Sequence, residues 1–288
     1  MSSTTKVLAL VALTGCLSVA GYQTILETWA QEGPNWMKGL PQQHHSAWKV
    51  HDTNRPKPRK VDSGETATDA PSDAIILFDG SSLDEWQGSG GKMWALVDGA
   101  MEVNNTGNIR TKREFGDCQL HLEYMPPAKP KKVSQGRGNS GIIFMERYEV
   151  QVLDNWENPT YSDGYIGSVY GQHPPLVNSC RKPGEWQTYD IVFKAPRFED
   201  GKLVSPGYFT VFLNGVLVQH NAEIYGSVVW RKLAKYSAHG PKGKIVLQDH
   251  GDRQNPRFRN IWIRELDLSR GALDHREASA QLKSKAGR

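Results

Sequence analysis

Cysteine is scarce in this chain of 288 residues, which has only Cys16, Cys118 and Cys180. Three cysteines do not make a disulfide framework, and no spacing rule fixes the distance between Cys118 and Cys180. We expect two separate buried thiols there, although a bridge stays open. Because CxxC and HExxH spacings are also missing, we predict no structural metal and no cofactor. Whether a bound divalent cation assists the chemistry is left open.

A surplus of one charge sign is missing as well. The 35 basic residues face 31 acidic ones, which gives a net charge of +4. The basic residues are spread along the chain, except for a run from Arg55 to Lys60. This distribution gives no indication of a nucleic-acid partner. The sequence does not indicate an oligomeric state.

No apolar run is long enough to span a bilayer as a mature helix, but residues 1–21 have the features of an export signal. A positive Lys6 precedes an apolar run from Val7 to Leu13. The following Leu-Thr-Gly-Cys sequence resembles a bacterial lipobox, which implies that Cys16 becomes a lipid-modified N-terminus anchored in the membrane. The alternative is ordinary cleavage near Ala20-Gly21. Both predict an exported protein, periplasmic or in the cell envelope.

The rest of the chain divides by composition. Residues 22–72 are poor in aliphatic side chains and rich in Pro and polar residues, which predicts a flexible Pro-rich linker. Residues 73–267 have short apolar runs separated by turn residues and are predicted to form one folded domain. Residues 268–288 form a charged, Ala-rich tail with little apolar face.

Ten short runs in the predicted domain have strand character and end at turn residues. They are Ala74–Phe78, Trp94–Val97, Ala100–Val103, Cys118–Met125, Gly141–Leu153, Glu185–Lys194, Tyr208–Phe212, Val216–His220, Lys244–Asp249 and Phe258–Leu266. Asn214-Gly215 is a strong two-residue hairpin signal. Because no helical periodicity interrupts these runs, we predict an all-β fold, a two-sheet antiparallel β-sandwich.

The most informative stretch runs from Gly138 to Gly171, and its centre alternates between apolar and polar residues. Tyr148, Val150 and Val152 point to one side of an extended chain, and Glu149 and Gln151 point to the other. A bulge or strand end just afterwards would turn Asp154 toward Glu149, which would place two carboxylates on one sheet surface. The alternative is an exposed strand with solvated polar side chains.

Two later strands carry further candidate residues. In Lys244–Gly251, Gln248 and His250 share a polar face, although a lone histidine at a strand end is also typical of the protein surface. In Arg257–Ile263, alternation puts Arg259 and Ile261 on one side and Asn260 on the other. Either side of this second strand can be the functional one.

Seven segments, in order, resemble the motifs of the 3-keto-disaccharide hydrolase family, and the resemblance covers about residues 73–267. The segments are LFDGSSLDEW at Leu77–Trp86, GNSG at Gly138–Gly141, YEVQVLD at Tyr148–Asp154, PGEWQTYDI at Pro183–Ile191, FLNGV at Phe212–Val216, LQDHG at Leu247–Gly251 and FRNIWI at Phe258–Ile263. The resemblance implies a concanavalin A-like jelly roll that binds carbohydrate and acts on glycosides oxidised at carbon 3.

The implied chemistry begins with the acidic proton on carbon 2 of such a sugar. A base removes it, the enolate expels the substituent at carbon 1, and water then adds. On this basis Glu149 or His250 is the expected base and Asp154 the acid, and the donors for the enolate oxygen come from Arg259, Asn139 or Gln151. Two further expected substrate contacts are Gln248 and Tyr170, the latter in a segment similar to the family's Gly-x-x-Tyr-Gly.

Three functions remain open at this stage. The leading prediction is an exported lipoprotein enzyme that cleaves 3-keto-glycosides, and a non-catalytic carbohydrate-binding module is the first alternative. The third is a conventional glycoside hydrolase, because Glu149, Gln151 and Asp154 are spaced like the E-x-D-x-x-E strand of retaining β-glucanases. Gln151 stands where that pattern needs an acid, so double displacement is the least favoured reading.

Overall fold

The computed structural model describes residues 39–44 and 46–268. The predictions for the export signal, Cys16 and the tail after residue 268 lie outside the described residues. Of the described residues, 39–44 and 46–60 belong to a first unit and 61–268 to a second. In the described part of the first unit, a β-bridge joins Gln42 and Lys49. Within the described residues, no helix is long and apolar enough to cross a membrane.

The described residues of the second unit form fifteen strands and three short 3₁₀ turns. The strands are β1 (Ile75–Phe78), β2 (Trp86–Gly88), β3 (Ala95–Val97), β4 (Ala100–Glu102), β5 (Ile109–Thr111), β6 (Cys118–Met125), β7 (Ser140–Phe144), β8 (Tyr148–Val152), β9 (Gln187–Lys194), β10 (Arg197–Glu199), β11 (Lys202–Ser205), β12 (Tyr208–Leu213), β13 (Val216–Glu223), β14 (Val246–Leu247) and β15 (Arg257–Glu265). The turns lie at Ser89–Gly91, Ser134–Gly136 and Ser162–Gly164.

These strands assemble into two main antiparallel sheets. One has eight strands in the order β13-β12-β9-β6-β15-β4-β3, with β1 also paired to β15. The other has five, in the order β2-β5-β14-β7-β8, and β10 and β11 form a separate two-stranded ladder. The fold is therefore the antiparallel β-sandwich that the sequence predicts.

The core lies between the two main sheets and is rich in aromatic rings. Phe144 of β7 contacts Phe193 of β9 and Phe209 of β12, with ring centroids 4.9 and 5.2 Å apart. Tyr148, Val150 and Val152 are fully buried in this core, which confirms the predicted register of β8. The register matters because a one-residue shift would turn Glu149 inward. Cys118 and Cys180 are buried, separate thiols, as expected.

The stretch predicted as one strand from Gly141 to Leu153 is two strands, β7 and β8. The chain reverses between them, where Met145 and Glu146 have φ angles of 53° and 60°. Neither residue is a turn former, so the sequence has no signal for this hairpin. Four strands of three or four residues, namely β2, β5, β10 and β11, were not predicted either, because alternation cannot be recognised over so short a length.

A bulge in β15 overturns the alternation predicted there. Asn260 has a φ angle of 46°, and the pairing of β15 with β6 shifts register between Arg259 and Trp262. As a result Phe258 and Ile261 both face the core, whereas Arg259 and Asn260 lie on the outer side. The prediction that Arg259 and Ile261 share a side is therefore wrong.

The compact unit begins earlier than the predicted boundary at residue 73. The backbone N–H of Ser72 donates to the Asp62 carbonyl at 2.9 Å. The carbonyl of Thr68 accepts hydrogen bonds from Asn260 Nδ2 at 2.9 Å and Trp262 Nε1 at 3.1 Å. Hydrogen bonds rather than apolar burial fix residues 61–72, so a composition poor in aliphatic residues does not reveal them.

Candidate functional site

A cavity of about 440 Å³ lies on the side of the five-stranded sheet that faces away from the core. Its wall contains six residues predicted from the sequence, which are Asn139, Glu149, Gln151, Tyr170, Gln248 and His250. It also contains Ile143, Val228 and Trp230, which were not predicted. The structure therefore brings together residues that are more than a hundred positions apart in the chain, and it does not bring Asp154 or Arg259 to them.

Strand β8 and the loop that follows it place Glu149 in the wall of the cavity. On one side β8 pairs with β7, with Ile143 opposite Glu149. On the other side the loop returns along β8, where the Tyr170 N–H donates to the Glu149 carbonyl at 3.1 Å and the Gln151 N–H donates to the Ser168 carbonyl at 3.0 Å. These contacts bury Glu149, which is 5% exposed.

The carboxyl group of Glu149 is unusual because it is buried without a partner. Within the described residues it makes no hydrogen bond or ion pair, and burial raises its pKa to about 7. Gly141 on β7 leaves the room for it, since a Cβ atom there would lie 2.3 Å from Glu149 Oε1. A carboxyl group with this pKa is a suitable base near neutral pH.

Gln135 organises the amide groups beside Glu149. Its Oε1 accepts a hydrogen bond from Gln151 Nε2 at 2.9 Å, and its backbone carbonyl accepts one from Asn139 Nδ2 at 2.7 Å. The Oε1 atoms of Gln151 and Gln248 are buried without a partner. Because such atoms carry a desolvation cost, they are acceptors for which a ligand's hydroxyl groups can provide the missing bonds.

His250 lies at the more exposed part of the wall and is held by Asp252. Its Nδ1 is 2.9 Å from Asp252 Oδ2, and the other carboxylate oxygen of Asp252 is 3.4 Å from Lys132 Nζ. When Nδ1–H donates to Asp252, Nε2 is left as the acceptor of the imidazole ring. His250 can then accept a proton from water or substrate at this atom.

Tyr170 contributes a phenol that stays protonated. Its hydroxyl is 2.7 Å from the hydroxyl of Tyr161. Burial raises the pKa of Tyr170, and the hydrogen bond to Tyr161 and the charge of Glu149 raise it further. The Tyr170 hydroxyl is therefore a proton donor at neutral pH.

Asp154 is not among the residues that line the cavity. Arg137 Nε donates to its Oδ2 at 2.6 Å, and the Trp156 N–H donates to its Oδ1 at 3.0 Å. Burial raises the pKa of Asp154, whereas these two bonds oppose that rise. The carboxylate that was expected to act as the acid is thus bound to Arg137 and does not reach toward Glu149.

Arg259 lies on the other main sheet, because β15 belongs to the eight-stranded sheet, and it points to the outer side of that sheet. Its Nε donates to Glu123 Oε2 at 2.7 Å, and its guanidinium stacks 4.0 Å from the centroid of the Trp186 ring. Arg259 is therefore separated from the cavity on the five-stranded sheet and does not supply a donor there.

Among the residues that sequence reasoning missed, Trp230 is the most prominent. It lies in the loop between β13 and β14 and is 68% exposed. Its only signal in the sequence is the apolar triplet Val228-Val229-Trp230 outside any strand pattern. Gln135 carries no signal at all, because its role depends on contacts with Gln151 and Asn139 that only the fold creates.

Within residues 39–44 and 46–268, no group of three or more His, Cys, Asp or Glu side chains is placed to hold a metal ion. The absence of a cofactor stays a prediction.

A jelly-roll sandwich with a polar cavity on one sheet is an architecture that lectin domains use. Residues 73–264 match the profile of the family described as the 3-keto-alpha-glucoside-1,2-lyase-like domain. Because this match covers more than half of the chain, the protein belongs to that family.

The chain is also similar to solved structures from Parabacteroides distasonis ATCC 8503. A crystal structure described as a "putative glycosyl hydrolase" is 42% identical, covers 79% of this chain and 100% of its own, and has a TM-score of 0.72. Two others with that description are 21% and 23% identical, cover 67% of this chain and 94% and 99% of their own, and have TM-scores of 0.49. No curated protein matches. The family and the first structure support a carbohydrate-active function.

Proposed function

We propose that this protein cleaves 3-keto-glycosides, with Glu149 as the base that removes the proton from carbon 2. The observation that carries the proposal is the carboxyl group of Glu149, which lies in a cavity without a partner and has a pKa raised to about 7. A proton beside a ketone is acidic enough for such a base, whereas the same proton in an unoxidised sugar is not. The family described as 3-keto-alpha-glucoside-1,2-lyase-like supports this substrate class.

The reaction needs no outside reactant except water. Glu149 takes the carbon 2 proton, and the electron pair of that C–H bond forms an enolate with its charge on the carbon 3 oxygen. When the ketone re-forms, a double bond appears between carbons 1 and 2 and the bond from carbon 1 to the leaving oxygen breaks. Water then adds to carbon 1, Glu149 returns the proton to carbon 2, and the product is the free 3-keto-sugar.

The other residues of the wall have complementary roles in this sequence. Tyr170 donates a proton to the departing oxygen, and the amide N–H groups of Gln248 stabilise the enolate oxygen. His250, held through Nδ1 by Asp252, accepts a proton from the attacking water at Nε2. A transfer of the water-derived proton from His250 to Tyr170 through solvent then returns the site to its starting state.

The two alternative functions fit the cavity less well. A retaining glycoside hydrolase needs two carboxylates about 5 Å apart. Of the described residues that line the cavity, only Glu149 carries a carboxyl group. A binding module would need the amides and the aromatic rings, but it would not need a buried acid without a partner, which lowers stability near neutral pH.

The test is to incubate the purified protein with a 3-keto-glucoside and with its unoxidised parent, and to measure 3-keto-glucose and glucose. Turnover of the oxidised substrate alone is expected. Turnover of the parent would instead support a conventional hydrolase, and binding without turnover would support a sugar-binding module. Exchange of the carbon 2 proton in deuterated water isolates the first step, because it does not require the leaving group to depart.

Export and lipid anchoring at Cys16 are a separate proposal that rests on the lipobox-like sequence. Replacing Cys16 by Ser should leave an unprocessed or unanchored product. Wild-type protein that enters the aqueous phase of a detergent partition and has no acyl mass on its N-terminus would contradict the proposal.

A further inference from the structure

A groove of about 630 Å³ continues from the cavity that contains Glu149. The two share Tyr170 and Trp230 as common wall residues, so the groove begins where the cavity ends. The groove adds Tyr161, Val229 and Leu233, with the charged Asp163, Arg231 and Lys232 also in its wall. No step of the proposed reaction uses this second space.

The loop from Gly226 to Lys235 forms one wall of the groove and is held by two backbone hydrogen bonds. The backbone N–H of Ser227 donates to the Lys235 carbonyl at 3.1 Å, which closes the base of the loop that carries Trp230 and Leu233. Gly226 permits this closure, because a Cβ atom there would lie 2.2 Å from the Lys235 backbone. The N–H of Val228 donates to the Arg147 carbonyl at 2.7 Å, which ties the loop to the turn between β7 and β8.

The loop presents large apolar side chains to solvent. Trp230 is 68% exposed and Leu233 is 86% exposed, and the Arg231 guanidinium lies 5.2 Å from the centroid of the Trp230 ring. Contiguous exposed apolar surface beside a polar cavity is a feature of ligand-binding grooves. The hydroxyl groups of Tyr161 and Tyr170 bond to each other, which uses one of their two hydrogens and leaves the other for the departing oxygen.

We infer that this groove binds the leaving group of the substrate and that it selects a flat aromatic leaving group over a second sugar. The inference rests on the proposed function, because the position of the leaving group follows from it. With carbon 2 beside Glu149 and the departing oxygen beside Tyr170, the substituent at carbon 1 enters the space beyond Tyr170. Apolar contacts from Val229, Trp230 and Leu233 suit an aromatic ring, and the cationic side chains of Arg231 and Lys232 suit its π face.

A sugar as the leaving group would need a wall with a different set of side chains. Its hydroxyl groups need several side-chain donors and acceptors, as the amides of the first cavity provide around Glu149. Among the residues that line it, the groove has no amide side chain. It adds the aliphatic Val229 and Leu233, and apart from its aromatic residues its polar side chains are the charged Asp163, Arg231 and Lys232. The difference in wall chemistry between the two spaces is the reason for assigning the sugar to one and the aromatic group to the other.

The experiment uses 3-keto-glucosides of one anomeric configuration that differ only in the leaving group, which is methanol, phenol, 2-naphthol or a second glucose. Phenol and 2-naphthol are acids of similar strength, so a difference between them reports contacts rather than reactivity. Wild-type protein should show kcat/KM about tenfold higher for the naphthyl than for the phenyl substrate. Leu233→Ser should bring this ratio near one, mainly through KM, and leave the methyl substrate unchanged.

Leu176→Ser is the matched control, because Leu176 is also exposed but does not line either space. It should change no ratio. Trp230→Ala should weaken every substrate, because Trp230 also lines the first cavity. A wild-type naphthyl-to-phenyl ratio near one would overturn the inference. So would a Leu233→Ser variant that raises KM for the 3-keto-disaccharide as much as for the naphthyl substrate.

Exchange of the carbon 2 proton in the methyl 3-keto-glucoside separates this inference from the proposed function. If the methyl substrate exchanges its carbon 2 proton but either contradicting outcome of the preceding paragraph is observed, the groove assignment is wrong and the role of Glu149 stands. If no substrate exchanges its proton or turns over, the proposed function fails, and the assignment of the groove fails with it.

Discussion

Two glutamates are buried to nearly the same extent on the two main sheets, and their surroundings are opposite. Glu123 of β6 is 7% exposed and Glu149 of β8 is 5% exposed. Glu123 accepts hydrogen bonds from Arg259 Nε at 2.7 Å and Asn260 Nδ2 at 3.0 Å. Glu149 has no such partner within the described residues, and it faces a cavity.

The difference separates a structural carboxylate from one that is available for chemistry. A buried charge is stable only when hydrogen bonds or an opposite charge compensate for its lost hydration, and Glu123 has both. For Glu149 the same loss of hydration raises the pKa to about 7, so its carboxyl group can take up a proton near neutral pH. Burial and residue type alone would not distinguish the two sites.

The largest expected effect is on activity. Glu149→Gln should lower kcat/KM on every 3-keto-glycoside by about 100-fold or more, because it removes the base and keeps the size of the side chain. Glu123→Gln is the matched control and should change kcat/KM by no more than about twofold, since Glu123 lies on the other sheet. Steady-state kinetics and carbon 2 exchange measure both. If Glu149→Gln exchanges the proton at the wild-type rate, Glu149 is not the base.

The second expectation concerns stability at neutral pH. Glu149→Gln should raise the free energy of unfolding, and Glu123→Gln should lower it. In the unfolded chain Glu149 loses its proton near its ordinary value of 4.5, and in the folded protein it does so near 7. Between these values the folded state binds more protons, so stability falls as pH rises through this window. Glu149→Gln removes that loss and should raise the free energy of unfolding by up to about 3 kcal/mol above pH 7.

Below about pH 4 the same substitution should have little effect, because Glu149 is then protonated in both states. Glu123→Gln should instead lower the free energy of unfolding at neutral pH by about 1 kcal/mol, because the exposed edge of Arg259 lets water replace part of the lost ion pair. Urea unfolding at two pH values measures both changes. A Glu149→Gln variant that is destabilised at pH 8 would show that its carboxylate has a partner after all.

Much of the fold and part of the site follow from the sequence. Alternation in Tyr148 to Val152 predicts the side on which Glu149 and Gln151 lie, because a buried face tolerates no shift of register. The motif residues Asn139, Gln248 and His250 join them because β14 pairs with β7. These predictions depend on local pattern and on resemblance, and the structure agrees with both.

The remaining features depend on contacts that no local pattern encodes. The bulge at Asn260 turns Ile261 to the core, on the side opposite Arg259, and a single Asn inside an apolar strand is too weak a signal to predict it. The bond to Arg137 holds Asp154 away from the cavity, although the sequence spacing places it close to Glu149. Trp230 lies in a loop without periodicity, so only the closed fold shows that it lines the cavity.

A smaller effect on activity is expected from Gly141→Ala, which narrows the space around the Glu149 carboxyl group without replacing that group. A Cβ atom at Gly141 would lie 2.3 Å from Glu149 Oε1, so Gly141→Ala should displace the carboxylate and lower kcat/KM about tenfold. Gly240→Ala is the control, because the nearest atom to a Cβ there is 4.0 Å away. Wild-type kinetics for Gly141→Ala would mean that the position of the carboxylate is not critical.

The smallest effect is expected on the Glu123 side, from removal of residues 61–72. A chain that begins at Asp73 lacks the Thr68 carbonyl, which accepts hydrogen bonds from Asn260 Nδ2 and Trp262 Nε1. Compared with a chain that begins at Val61, it should lose about 1 kcal/mol in free energy of unfolding, because water can replace part of these bonds. Its kcat/KM should be unchanged, since the affected residues lie on the eight-stranded sheet and the cavity lies on the five-stranded sheet.

Urea unfolding and steady-state kinetics on the two chains measure these quantities. Equal stability would show that residues 61–72 contribute nothing to the compact unit, and a loss of activity without a loss of stability would show that the two sheets are coupled.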